Sequence, residues 1–172
     1  MHHQSPVPME SSDQIDSSDA GYLRHAFALA KSSRDSGNHP FGALLVTGDG
    51  TILLEAKNQS RTQADATGHA ERVLMTQASQ RFDATTLSQA TMYTSAEPCA
   101  MCAGAVYWVG IKRVVYGLSE RRLKDLIGPH PENLTMDLPC RAVFAAGQRA
   151  ILVTGPALED EALEVHRGFW TL

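Results

Sequence analysis

The spacing of apolar positions changes period several times along the chain. Tyr22, Leu23, Ala26, Phe27 and Ala30 recur at helical intervals behind Ser17 or Ser18 as the cap, and Gly37 closes that helix. An apolar run over 41–47, the turn signal Gly48-Asp49-Gly50 and a second run over 51–56 predict a β-hairpin. A polar stretch over 57–68 leads to a predicted helix over 69–81, which buries Val73, Leu74 and Met75 in part. A strand over 91–95, a strongly apolar helix over 99–109 and a strand over 111–116 centred on Val114 and Val115 follow. A looser segment carrying Gly128-Pro129 and His130-Pro131 then precedes a short helix over 139–146, a strand over 151–153 and a closing helix over 158–170. This order, a helix and a hairpin followed by alternating helices and strands, predicts an α/β layered domain with one sheet of about five strands.

Composition narrows the function classes. With 172 residues, 43% hydrophobic and 20% charged, the chain fits one soluble domain with a substantial core. Residues 1–18, rich in Ser, Asp, Gln and Pro, read as a disordered polar tail without the basic and apolar regions of a secretory signal, leaving 19–172 as a single domain. His2 and His3 fall in that tail and are not read as metal ligands. No apolar run approaches the roughly 20 residues of a membrane span. Three cysteines do not make a secreted disulfide framework, so a cytoplasmic location is expected. A formal net charge of −4 offers no electrostatic footprint for a long phosphate backbone, which favours a small-molecule substrate over nucleic acid.

The chemistry concentrates in two short motifs, His69-Ala70-Glu71 and Pro98-Cys99-Ala100-Met101-Cys102. Each opens its own predicted helix. Cys99 and Cys102 are three apart, so both sulfurs share one helix face, and His69 supplies a third donor. Helix N-termini carry partial positive charge and favour the thiolate that zinc requires, while Pro98 suits a helix start. Three protein ligands leave a fourth tetrahedral position open, as in catalytic zinc sites. Cys140, far along the chain, is read as an inert buried thiol and not as the closing ligand. A structural zinc has no use for a neighbouring carboxylate. A hydrolytic zinc does, because a carboxylate takes the proton of the activated water and delivers it to the leaving amine, the role expected of Glu71.

The His-x-Glu and Pro-Cys-x-x-Cys pattern is the signature of zinc deaminases. The chain resembles the cytidine deaminase-like superfamily, most closely the branch of bacterial guanine deaminases and tRNA adenosine deaminases, over residues 22–118. The resemblance implies a three-layer α/β/α fold around a five-stranded mixed sheet. It also implies one zinc ion with a bound water or hydroxide, and Glu71 protonating the ring nitrogen and the departing amine. Phe41, in Pro40-Phe41-Gly42-Ala43, and the run Cys102-Ala103-Gly104-Ala105-Val106-Tyr107-Trp108 are similar to the guanine deaminase form. Asn58 matches a base-binding Asn of the branch, where the backbone at Ala70 lines the pocket. Trp108 is open to two readings, a ring contact or helix packing. A homodimer through the 99–109 helix is expected by the same analogy.

The pattern also departs from its relatives. Ala66 and Gly68 stand where Pro and Ala are usual, and the region from Ser119 onward lacks the guanine deaminase tail. It also lacks the basic last helix of tRNA-acting members, since Glu159, Asp160, Glu161 and Glu164 make this end acidic. Arg121, Arg122 and Lys124 are read as a solvated helix face, and Glu120 and Trp170 as candidates for closing the pocket. The expectation is therefore a hydrolytic deaminase of a free nucleobase or nucleoside. The alternatives are a tRNA adenosine deaminase and a non-catalytic zinc-binding scaffold.

Overall fold

A computed structural model describes residues 14–171. Five strands, β1 (Gly42–Val46), β2 (Ile52–Lys57), β3 (Thr91–Ala96), β4 (Arg113–Leu118) and β5 (Leu152–Thr154), form one sheet in the order β2-β1-β3-β4-β5. β1 is antiparallel to both β2 and β3, whereas β3, β4 and β5 run parallel, so the sheet is mixed as expected.

Strand periodicity divides the core into two layers. In β1, Ala43 and Leu45 face one side with Met92, Val114 and Tyr116, while Leu44 and Val46 face the other with Tyr93 and Val115. Helices α2 (Ala70–Arg81), α3 (Ala84–Leu87), α4 (Ala100–Val109) and α6 (Cys140–Ala145) cover the first side, and α1 (Ser17–Asp35) covers the second. A third apolar cluster joins the ends of β3 and β4 to α5 (Glu120–Ile127) and α7 (Glu159–Glu164) through Ala96, Leu118, Leu123, Ile127, Ala162 and Leu163. Gly42 lets α1 press onto β1: a Cβ there would lie 2.5 Å from the Leu29 Cβ and 2.6 Å from the Ala30 nitrogen.

Four local expectations are revised. The cap of α1 is Asp16, not Ser17 or Ser18; its carboxylate accepts from the Asp19 N–H in a reciprocal capping box. Of the expected tail, residues 1–13, with His2 and His3, lie outside the described residues, and Ser17 and Ser18 form the first turn of α1. The segment read as loose contains α5, capped by Ser119 and seated by Leu123 and Ile127 one turn apart.

The closing helix ends at Glu164 instead of running to 170. There the bonding shifts to i→i+3 turns, and Gly168 takes a φ of +67°. The Arg34 guanidinium caps the carbonyls of Val165 and Arg167, freeing the chain to fold Trp170 back onto His166. No helix among the described residues is long and apolar enough to cross a membrane.

Candidate metal centre and active site

The two helix starts predicted from sequence meet. His69 is the N-cap of α2 and Cys99 the N-cap of α4, and neither uses its side chain as a cap. Both side chains turn instead toward a common point with Cys102. The ligand atoms of the three residues lie within 4.8 Å of one another, with His69 Nδ1 3.6 Å from Cys99 Sγ and 3.7 Å from Cys102 Sγ. A tetrahedral zinc with ordinary Zn–S and Zn–N lengths requires an S···N edge of about 3.6 Å. The donor set and its spacing both fit zinc. Cys140, buried at the start of α6, is not part of the cluster.

The electrostatics of the cluster favour a single thiolate, at Cys99. A hydrogen bond from the Cys102 thiol, and after it the bond to His69, hold the Cys99 thiol down at about 4 despite burial, so Cys99 is the first to ionise. Cys102 is pushed up by the bond it donates and by its burial. The bond to Cys99 outweighs desolvation and raises His69.

Glu71 lies in the first turn of α2, buried and facing the same cavity. Its Oε1 accepts from Thr94 Oγ1 on β3 at 2.9 Å. Burial, and then the neighbouring Cys99 thiolate, raise its carboxyl above the usual range. The cavity of about 450 Å³ that holds His69, Glu71 and Cys99 falls in the range of small-molecule pockets. Asn58 and Phe41 line it. Ser60 N–H and Oγ–H both donate to Asn58 Oδ1, and a backbone N–H can only donate, so the amide orientation is fixed and Nδ2 is the free end. Phe41 packs against His166 and Trp170, with ring centroids 5.3 and 6.2 Å apart.

Two expected contacts are placed differently. Trp108 is 82% exposed on the outer face of α4, edge-on to Tyr107 and away from the cavity, because the Cys102 face of the helix is the buried one. Ala70 is fully buried in the core and is not among the cavity-lining residues.

The sequence reading passed over several lining residues. His39, Ser60 and Arg61 come from the connections flanking the hairpin, and Glu132, Asn133 and Thr135 from the irregular segment after α5. The available signal was loop length, since long structureless connections in a small domain are usually functional. Arg61 is ion-paired with Glu132, which also approaches His39 Nε2 at 3.5 Å. Glu97 and Glu120 also line it; Glu97 accepts the backbone N–H of Glu120 at 2.9 Å and of Cys140 at 3.0 Å, tying α5 and α6 to the candidate metal centre.

This geometry agrees with the comparisons. The model of the cytidine and deoxycytidylate deaminase zinc-binding region matches residues 16–118. A probable cytosine deaminase from Schizosaccharomyces pombe is 38% identical over 161 residues, spanning 93% of this chain and 97% of that protein. Guanine deaminase from Bacillus subtilis is 41% identical over 96 residues, 55% of this chain and 61% of that protein. The solved structure of NE0047 in complex with 2,6-diaminopurine is similar at a TM-score of 0.74 and 25% identity, covering 90% of this chain and 82% of that one. With its three-donor cluster and buried Glu71, the chain belongs to the cytidine and deoxycytidylate deaminase zinc-binding family.

Proposed function

We propose that this protein hydrolyses the exocyclic amino group of a free nucleobase, cytosine first, and releases ammonia. One observation carries the reading: a buried carboxyl, Glu71, shares a cavity with a three-donor cluster that fits zinc. When bound, zinc lowers the pKa of a coordinated water and supplies a nucleophile at neutral pH. Glu71 would take one proton from the attacking water and hand it to the ring nitrogen, then take the second from the hydroxyl so formed and hand it to the amine, so that ammonia leaves and a carbonyl remains. Asn58 Nδ2 donates to a ring acceptor, and Phe41, backed by Trp170, packs against the ring. A non-catalytic zinc scaffold fits less well, because the cluster has three protein donors and an acid beside it.

The choice of substrate follows from the walls. Arg61, the one Lys or Arg among the lining residues, is already paired with Glu132, which disfavours a phosphorylated nucleotide. The acidic first turn of α7 (Glu159, Asp160 and Glu161) disfavours tRNA. Cytosine is preferred to guanine because the match to the probable cytosine deaminase extends over 93% of this chain and that to guanine deaminase over 55%.

The test is ammonia release by zinc-loaded protein from cytosine, guanine, cytidine, deoxycytidylate and tRNA. Turnover of cytosine above the others is expected, and turnover of tRNA alone would overturn the assignment. We further propose a homodimer through the outer face of α4, where Trp108 and Met101 are exposed, and a cytoplasmic location in keeping with three free cysteines. A monomer by light scattering would contradict the dimer.

A further inference from the structure

We infer that Glu120 is a substrate-contacting residue that sets which ring the cavity accepts, a role that rests on the proposed base deamination. Its backbone and its side chain are treated in opposite ways. The start of α5 is firmly anchored: Ser119 donates its N–H and its hydroxyl to Glu159 Oε2 at 3.0 and 2.9 Å, and Glu120 donates its N–H to Glu97 Oε2. The residue is 6% exposed and lines the cavity beside Glu71, Cys99 and Leu123. Yet Glu120 Oε2 is shut off from solvent and has no hydrogen-bond partner among the described residues.

A buried carboxyl oxygen left unpaired is disfavoured, and on a residue that lines a binding cavity a group of the ligand can supply the missing partner. Burial, then the charges of Glu97, Cys99 and Asp137, push this carboxyl up to about 8 against the backbone N–H of Leu138. A neutral carboxyl presents one O–H donor and one C=O acceptor side by side, the complement of a ring edge carrying adjacent acceptor and N–H groups. Glu71 serves the reacting amine. Glu120 then takes a non-reacting edge of the ring, where its contact is made equally in ground and transition states and acts through KM.

Steady-state kinetics on cytosine and guanine, with zinc content and thermal melting in parallel, test the assignment. Glu120→Ala is expected to lower kcat/KM by about 10- to 100-fold, mostly through KM, with zinc content intact and the melting temperature unchanged or raised. Glu120→Gln, whose amide also pairs a donor with an acceptor, is expected to recover most of that loss. Binding of cytosine to Glu71→Gln protein, with and without Glu120→Ala, reads the contact independently of turnover; a weakening of about tenfold or more is expected. Kinetics and binding within twofold of the unaltered protein in Glu120→Ala would overturn the role while leaving the deaminase reading in place. Absence of turnover and binding of both bases by the unaltered chain would overturn the function, and this role with it.

Discussion

Thr94 Oγ1 lies 2.9 Å from Glu71 Oε1 and 2.9 Å from the Ala96 carbonyl oxygen. A hydroxyl has one hydrogen and can serve only one of these acceptors at a time. With Glu71 ionised, Thr94 donates to it. With Glu71 protonated, Glu71 donates to Thr94, which turns its hydrogen to Ala96. Both protonation states of the carboxyl are therefore hydrogen-bonded, which suits a group that must take up and release a proton. Thr94→Val keeps the shape and removes the rotor. Its kcat should fall about tenfold with zinc content unchanged, and an unaltered kcat would show that the hydroxyl has no part in proton transfer.

Metal retention depends on the pair of cysteines. Cys102 is fully buried on the inner face of α4, so Cys102→Ala removes a donor that no neighbouring side chain replaces. Elemental analysis should show about one zinc per chain in the unaltered protein and a small fraction of that in the variant, with a lower melting temperature, because metal binding and folding are coupled. Full zinc occupancy in the variant would contradict the ligand set.

His166 links the C-terminal turn to acid stability. Trp170 Nε1 donates to its Nδ1 at 3.1 Å, which requires the neutral ring. Burial, and secondarily the Arg34 charge, hold its pKa down at about 4. Above the unfolded value of about 6.5 both states are neutral and nothing is gained or lost. Between about 6.5 and 4 the unfolded chain binds the proton first, so stability falls with pH by about 3 kcal/mol in total. Urea melts at pH 7 and pH 4.5 should show this loss in the unaltered chain and a smaller one in His166→Gln; equal losses would rule out His166 as its source.

Away from the active site, Asp19 ties α1 to the sheet. It accepts two bonds from Arg113 at 2.9 Å and one from Tyr93 at 2.7 Å. Burial alone would raise its carboxyl, but the Arg113 and Tyr93 bonds outweigh it and hold the group below the usual range. Asp19→Ala strands both partners and should cost about 3 kcal/mol in chemical denaturation, with zinc content preserved. A loss under about 1 kcal/mol would mean that the pair contributes little.

Legibility from sequence followed how local each signal was. The candidate metal donors and the carboxyl beside them were readable because His69, Glu71, Cys99 and Cys102 sit at fixed offsets within two helix starts. The strands β1 and β4 were readable because each carries a run of apolar residues between polar or turn-forming segments. Glu120 was readable only as a candidate for closing the pocket, and the rest was not, since Arg61 and Glu132 reach it from two separate connections and pair only in three dimensions. Trp108 shows the converse failure. An aromatic inside a motif run invites a ring contact, but helical phase places it opposite the face formed by Cys102, Ala103 and Val106, on the outside. The C-terminal helix was overextended because its end is set by Arg34, 131 positions away from the Val165 carbonyl it caps.

Glu71 is the residue on which the account turns, and one comparison tests it most directly: ammonia release from cytosine by zinc-loaded protein and by Glu71→Gln, with zinc measured in both. The account predicts equal zinc content and a rate lower in the variant by about 10²- to 10⁴-fold. A variant that keeps both its zinc and its turnover would contradict the assignment of proton transfer to this carboxyl.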